Sequence, residues 1–246
     1  MKKHLLLGLG ICLLQSTAWS AEITVAAAAS LTDAFKVMAQ RFEKQNPNTK
    51  VNVTFGSSGT ILQQLRYGAP IDVFASADEQ TMNDAEKMAL VQQQTRTDFT
   101  NNSLVLITST EKPVLVKSLK DLTRNDIQHI ALGNPAHTPA GRYAQATLQK
   151  QGLWNNLQSK MIYTQNVRQA LDYVARAETQ AGFVFSSDVL SQKSKVRVIF
   201  KVPTEIAIRY PIAVTKTSKD VQQAQQFIRY VKSAEGQNIL RQYGFQ

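Results

Sequence analysis

Four short segments of the sequence place small and hydroxylated or amide residues where a helix is expected to begin. The first turn of a helix carries backbone N–H groups without an intrahelical partner and about half a unit of positive charge. Such a turn binds an anion without a charged side chain. These segments are residues 27–33, 56–60, 138–141 and 166–169.

The first two segments offer serine hydroxyls in addition to backbone N–H groups. Ser30 is predicted to be an N-cap, with Asp33 three residues later at the spacing of a capping box. The alanines before Ser30 let a ligand approach the backbone. In the second segment, two serines and two glycines at 56–59 precede a helical pattern.

The other two segments offer backbone N–H groups. Pro139 stands where proline often begins a helix. Asn166 is predicted to cap a helix that starts at Val167, with Gln169 completing the capping box. One such cap is usually a plain helix start. Four of them, two in each predicted lobe, indicate a site where neutral dipoles hold a dianion.

Export is predicted from the first 20 residues. Lys2 and Lys3 precede an apolar run over 5–14 and the small residues of Ala18-Trp19-Ser20, so residues 1–20 are identified as a cleaved signal peptide. Cleavage there removes Cys12, the single cysteine; a lipoprotein signal at Cys12 is the alternative. The expected mature protein is soluble and periplasmic, without direct membrane insertion.

The charge and the histidines exclude several function classes. The net charge of +10 is spread along the chain without dense basic runs, so no nucleic-acid partner is expected. The segment around Lys193 to Lys201 is a candidate basic strip, best explained as a solvated strand edge. His129 and His137 lie in no metal-ligand or nucleophile pattern. A secreted hydrolase is disfavoured because Thr60 replaces the glycine that a nucleophile elbow at Ser58 needs.

Apolar runs that alternate with helical patterns predict an α/β protein with largely parallel sheets. Two buried helical stripes are expected, one from Leu31 to Phe42 and one from Val167 to Ala175. The predicted strands are 23–27, 51–55, 73–76, 104–108, 130–133, 161–163, 182–185 and 196–202.

Two lobes are expected, joined by two crossing strands within 101–108 and 209–215. Lobe 1 is then 21–103 plus 210–246, and lobe 2 is 104–209. The last segment, Val221 to Phe245, is predicted to form one or two helices that close lobe 1, with Gly236 as a break.

Several motifs together resemble one family, the periplasmic molybdate-binding proteins of ABC transporters. The resemblance covers the whole mature chain in order. It rests on Ala-Ala-Ala-Ser-Leu-Thr-Asp-Ala (27–34), Gly-Ser-Ser-Gly (56–59), Gly-Ala-Pro-Ile-Asp-Val-Phe-Ala-Ser-Ala-Asp (68–78), Asn-Ser-Leu-Val (102–105), Pro-Ala-Gly (139–141) and the terminal Tyr-Gly-Phe.

This resemblance implies a type II periplasmic-binding-protein fold that closes around molybdate or tungstate and delivers it to an ABC permease of the inner membrane. It implies a monomer with no cofactor, no direct metal-cation site and no catalytic residue. By position, Ser30 and Ser58 would supply hydroxyl and backbone donors from lobe 1. Ala140 and Val167 would supply backbone N–H groups from lobe 2.

One position departs from the family pattern. Where relatives carry a tyrosine whose hydroxyl reaches the oxyanion, this sequence has Phe185. A hydrogen bond to a charged group contributes about 1.5–3 kcal/mol, so its loss lowers affinity by about tenfold or more unless another donor substitutes. Tyr143 and Ser186 are the candidate substitutes. A binding protein of the same fold for sulfate or thiosulfate remains the alternative.

Overall fold

The computed structural model describes residues 21–246, and the predicted signal peptide lies outside the described residues. Within that range the chain forms ten strands: Ala21–Ala28 (β1), Thr49–Gly56 (β2), Val73–Ala75 (β3), Thr97–Asn102 (β4), Leu104–Ser109 (β5), Ile130–Gly133 (β6), Met161–Thr164 (β7), Ala181–Phe185 (β8), Val196–Lys201 (β9) and Ile208–Val214 (β10).

The same described residues form nine α-helices, and none of them is long and apolar enough to cross a membrane. They are Thr32–Gln45 (α1), Ser58–Arg66 (α2), Glu79–Lys87 (α3), Pro139–Lys150 (α4), Trp154–Leu157 (α5), Val167–Ala175 (α6), Ser186–Val189 (α7), Val221–Lys232 (α8) and Ala234–Gln242 (α9).

The strands form two five-stranded sheets, one in each half of the molecule. The first has the order β2-β1-β3-β10-β4 and the second has the order β7-β6-β8-β5-β9. In each sheet three strands pair in parallel and two further strands pair antiparallel. The expectation of largely parallel sheets therefore holds for half of the pairings. Only β10 in the first sheet and β5 in the second run against the other four strands, and each of them is the strand that follows a crossing from the other sheet.

The chain crosses between the sheets twice. The first crossing is at Ser103, between β4 and β5, inside the predicted segment. The second runs over residues 202–207, whereas the predicted segment 209–215 lies in the first lobe, mostly in β10. Strand β9 ends at Lys201, and Pro203 has no N–H group with which to extend the ladder. Both sheets thus remain tied to each other through two short connections.

Helices cover the faces of both sheets and bury the predicted stripes. All five apolar positions of the stripe from Leu31 to Phe42 are buried, and so are those from Val167 to Ala175. In the first lobe, the Phe42 and Phe227 rings meet edge to face with centroids 5.4 Å apart. This packing fixes α1 and α6, whose first turns face the space between the lobes.

The C-terminal segment forms two helices, but the break is not at Gly236. Helix α8 ends before Ser233, which caps α9 by accepting a hydrogen bond from the Gly236 N–H group at 3.2 Å. Gly236 lies in the first turn of α9. A Cβ atom there would stand 2.4 Å from the carbonyl oxygen of Tyr230, so glycine permits the two helices to approach closely.

Replacing Gly236 by alanine is expected to destabilise the protein by about 1–3 kcal/mol, because the added methyl group overlaps backbone atoms of α8. Urea denaturation of the mature protein measures the change. Asn238→Ala, at an exposed position of the same helix, is the control and should leave the free energy of unfolding within about 0.5 kcal/mol. Equal stability of both variants would contradict this packing.

Candidate anion-binding site

The five candidate site residues line one small cavity between the two sheets. About 220 Å³ of space around these residues is free of protein atoms, part of it open to solvent. Each of the four segments predicted from the sequence reaches it, and Ala77 and Phe185 complete the wall. The lining residues are Ala28, Ala29, Ser30, Gly56, Ser57, Ser58, Ala77, Thr138, Pro139, Ala140, Asn166, Val167 and Phe185. None of these lining residues is ionisable.

Ser30 reaches the cavity from a 3-10 turn, Ala29–Leu31, that leads directly into α1. Its predicted role as an N-cap is wrong, since Ser30 lies inside the helical segment and its side chain caps nothing. The Ser30 Oγ instead lies 2.9 Å from the hydroxyl of Tyr210. Asp33 also leaves the predicted capping box and pairs with Arg168 of the other lobe.

Ser58 is the first residue of α2, and Ser57 caps that helix by accepting a hydrogen bond from the Thr60 N–H group at 3.2 Å. The Ser58 Oγ accepts a hydrogen bond from the Ala77 N–H group at 3.0 Å. Ser58 is fully buried. Because its oxygen already has a donor, the Ser58 hydroxyl proton is left to be donated elsewhere.

The second lobe presents two helix starts. Pro139 is the first residue of α4, which places Ala140 in the first turn. Asn166 caps α6 by accepting from the Gln169 N–H group at 3.1 Å, as predicted. The Gln169 side chain accepts from the N–H group of Gln165, one residue before the expected partner.

The backbone N–H groups of four site residues, Ser30, Ser58, Ala140 and Val167, make no hydrogen bond to the described part of the chain. Each belongs to a first helical turn, whose dipole end is positive. Two serine hydroxyls and two pairs of helix starts thus surround a space without a charged side chain. Such a set of donors suits an anion whose oxygens accept hydrogen bonds.

Phe185 is fully buried, with its ring 5.8 Å from that of Tyr210 and 6.4 Å from that of Tyr143. Neither predicted substitute for the missing hydroxyl lines the cavity. Tyr143 lines a separate groove beside Arg142, and the Ser186 hydroxyl donates to the side-chain oxygen of Asn102 at 2.9 Å.

The lobes contact each other on both sides of the cavity. The Gly59 N–H group donates to the His137 carbonyl oxygen across the cleft at 3.0 Å. On one flank, Arg142 of α4 pairs with Asp78 at 2.6 Å. On the other, Arg168 of α6 pairs with Asp33 at 2.8 Å. These contacts describe a closed conformation.

Arg168 is held in place by a second, fully buried carboxylate. Its Nε lies 2.7 Å from Asp188 Oδ1. Burial raises the pKa of Asp188 to about 6, while Arg168 and the Phe185 N–H group act in the opposite direction. The 2.7 Å contact with Asp188 keeps the guanidinium of Arg168 beside the cleft.

Arg142, Arg168 and Tyr210 were not among the residues predicted for the site. The sequence did contain a pattern that could have identified the two arginines. A cation in the first turn of a helix is unfavourable because it lies beside the positive end of the helix dipole. Arg142 and Arg168 both occupy such turns, which indicates that a carboxylate holds each of them. Tyr210 carried no comparable local signal.

Residues 23–246 match the family described as bacterial extracellular solute-binding protein. The chain belongs to this family. It is 35% identical to the molybdate-binding protein ModA of Haemophilus influenzae, over 98% of this chain and 94% of that protein. It is also 35% identical to ModA of Escherichia coli, over 91% of this chain and 88% of that protein.

The solved structure of the periplasmic molybdate-binding protein of Azotobacter vinelandii superposes on this family member with a TM-score of 0.80. The two are 27% identical, and the match covers 91% of this chain and 98% of that one. The resemblance and the type II periplasmic-binding-protein fold predicted from the sequence are thereby confirmed. The relatives are solute-binding proteins, so the chain is a binding protein and not an enzyme.

Gly59→Ala is expected to weaken ligand binding by about fivefold to a hundredfold, because a Cβ atom at this position would lie 2.6 Å from the His137 oxygen in the closed form. The ligand-free protein should lose no stability, since alanine favours the helix. Calorimetric titration and thermal melts separate these effects. Gln64→Ala, exposed on the same helix, is the control. Unchanged affinity in Gly59→Ala would show that the bound form does not close this far.

Asp33→Asn is expected to lower affinity by up to about fivefold, mainly through faster ligand release. The Asp33 side chain is 38% exposed and that of Arg168 is 20% exposed, so this ion pair contributes on the order of 0.2–1 kcal/mol. Arg168 keeps Asp188 as its partner, so the fold is preserved. Stopped-flow release measurements check this. A dissociation rate equal to that of the wild type would show that the ion pair between Asp33 and Arg168 does not stabilise the closed form.

Proposed function

We propose that this chain is a periplasmic solute-binding protein that captures molybdate, or tungstate, by lobe closure and delivers it to an ABC transporter permease. The observation that carries the proposal is the cavity lined by three serines and four helix starts, with no ionisable side chain. In the proposed complex, Ser30 and Ser58 donate from lobe 1. The backbone N–H groups of Ala140 and Val167 donate from lobe 2.

The arrangement of donors favours a fully deprotonated anion. The lining holds no carboxylate or imidazole that could take up a ligand proton, and the Ser58 and Asn166 side-chain oxygens each already accept a hydrogen bond, from Ala77 and Gln169. Phosphate keeps a proton near neutral pH and would need an acceptor in the cavity. Molybdate, tungstate and sulfate have no proton to place.

Size distinguishes sulfate from the larger dianions, and the family comparison favours molybdate. The named relatives with about a third of their residues identical are molybdate-binding proteins. In our proposal the protein acts as a monomer, with export guided by residues 1–20 and release to a permease of the inner membrane. No cofactor takes part.

Calorimetric titration of the mature protein with molybdate, tungstate, sulfate and phosphate tests this function. We expect molybdate and tungstate to bind at least tenfold more tightly than sulfate, and phosphate to give no measurable heat. Tighter binding of sulfate would reassign the ligand. Absence of binding for all four anions would contradict the proposed function.

Phe185→Tyr tests whether the missing hydroxyl limits affinity. If the new hydroxyl donates to the anion, molybdate affinity should rise by about tenfold or more, since a hydrogen bond to a charged group contributes about 1.5–3 kcal/mol. Phe200→Tyr, on β9 and away from the cavity, is the matched control and should leave binding unchanged. Unchanged affinity in Phe185→Tyr would mean that the donors of the cavity already satisfy the anion.

A further inference from the structure

A chain of hydrogen bonds leads from the first crossing between the lobes to Ser30. It begins at the Ser103 N–H group, which can only donate and lies 2.9 Å from Asn102 Oδ1. This contact fixes the orientation of the Asn102 amide, and the Ser186 hydroxyl donates to the same oxygen. The amide nitrogen therefore faces the other way, toward Tyr210.

The Asn102 Nδ2 group is a donor only, and it lies 3.1 Å from the Tyr210 hydroxyl. Tyr210 must accept this hydrogen bond, which leaves its single proton free. The next oxygen along is Ser30 Oγ, 2.9 Å from the Tyr210 hydroxyl. The proton of Tyr210 thus points to Ser30, and Ser30 accepts it.

We propose that Tyr210 is a positioning residue that, under the control of Asn102, forces the Ser30 hydroxyl to donate its proton into the cavity. This inference rests on the proposed function, since the bound oxyanion is the acceptor of that proton. Tyr210 itself does not line the cavity. Its effect on affinity passes through Ser30.

Tyr210 is well suited to this role because packing holds its ring in place and burial favours its protonated hydroxyl. It is fully buried, and its ring packs edge to face against those of Phe185, Phe99 and Phe245. Burial raises the pKa of Tyr210 well above its ordinary value, so the hydroxyl keeps its proton at neutral pH.

In this proposal the hydroxyl oxygens of Ser30 and Ser58 each accept one hydrogen bond from the protein, although the donors differ. Ser30 accepts from a tyrosine hydroxyl, and Ser58 accepts from the Ala77 N–H group. In both cases a protein donor occupies the oxygen and directs the serine proton elsewhere. The cavity is thus set as a donor site before an anion enters, which reduces the reorganisation that binding requires.

A double-mutant cycle on molybdate binding tests the inference, with wild type, Tyr210→Phe, Ser30→Ala and the double variant titrated by calorimetry. Tyr210→Phe keeps the ring packing and should lower affinity by about threefold to tenfold. In the Ser30→Ala background the same change should alter affinity by less than about twofold. Equal losses in both backgrounds would show a structural role and overturn the inference.

Tyr143→Phe is the matched control, because Tyr143 is another buried tyrosine beside Phe185 that does not bond to Ser30. It should leave affinity unchanged. If Tyr210→Phe does not fold, Asn102→Ala replaces it in the cycle, since loss of the amide donor lets Tyr210 accept from Ser30. If Asn102→Ala lowers molybdate affinity only when Ser30 is present, the inference is supported. An equal loss of affinity in the Ser30→Ala background overturns it. Failure of the wild type to bind molybdate would instead contradict the proposed function itself.

Discussion

A doubly charged anion leaves water only where fixed donors replace its hydration shell, and the architecture of this protein follows from that requirement. Isolated charges are strongly disfavoured in a dry interior. In our proposal, backbone N–H groups and serine hydroxyls at the first helical turns around this cavity take the place of water. Helices α1 and α6 are held against the two sheets by their buried stripes, and α2 and α4 by their own buried residues, so the donors of each lobe are in place before the ligand arrives.

The cavity has no charged side chain in its lining, and the charged side chains nearby form ion pairs between the lobes at its edges. Arg142 and Arg168 stand in the first turns of the helices that supply the second-lobe donors, yet their guanidinium groups pair with Asp78 and Asp33 of the first lobe. The first turns of α4 and α6 therefore have two roles, one in the cavity and one in the contact between the lobes. Their side chains join the lobes, and in our proposal their backbone N–H groups bind the anion, so that ligand binding favours closure.

Features that depend on local pattern were predictable from the sequence. The α/β alternation, both buried stripes and the Asn166 cap follow from spacing along a few residues. The role of Ser30 as a cap was wrong because its partner, Tyr210, lies 180 positions away in the sequence. The second crossing was misplaced because local pattern does not show which of the two sheets the strand Ile208–Val214 joins. Pairings such as Arg168 with Asp33 join distant parts of the chain, and spacing carries no information about them.

The most direct test of this account is anomalous diffraction from crystals of the mature protein grown with tungstate, whose metal atom locates the anion without ambiguity. The account predicts one strong peak in the cavity between the lobes, within hydrogen-bonding reach of donors from Ser30, Ser58, Ala140 and Val167 through the tungstate oxygens. A peak against surface cations such as Lys195 and Arg197, with the interlobe cavity empty, would contradict it.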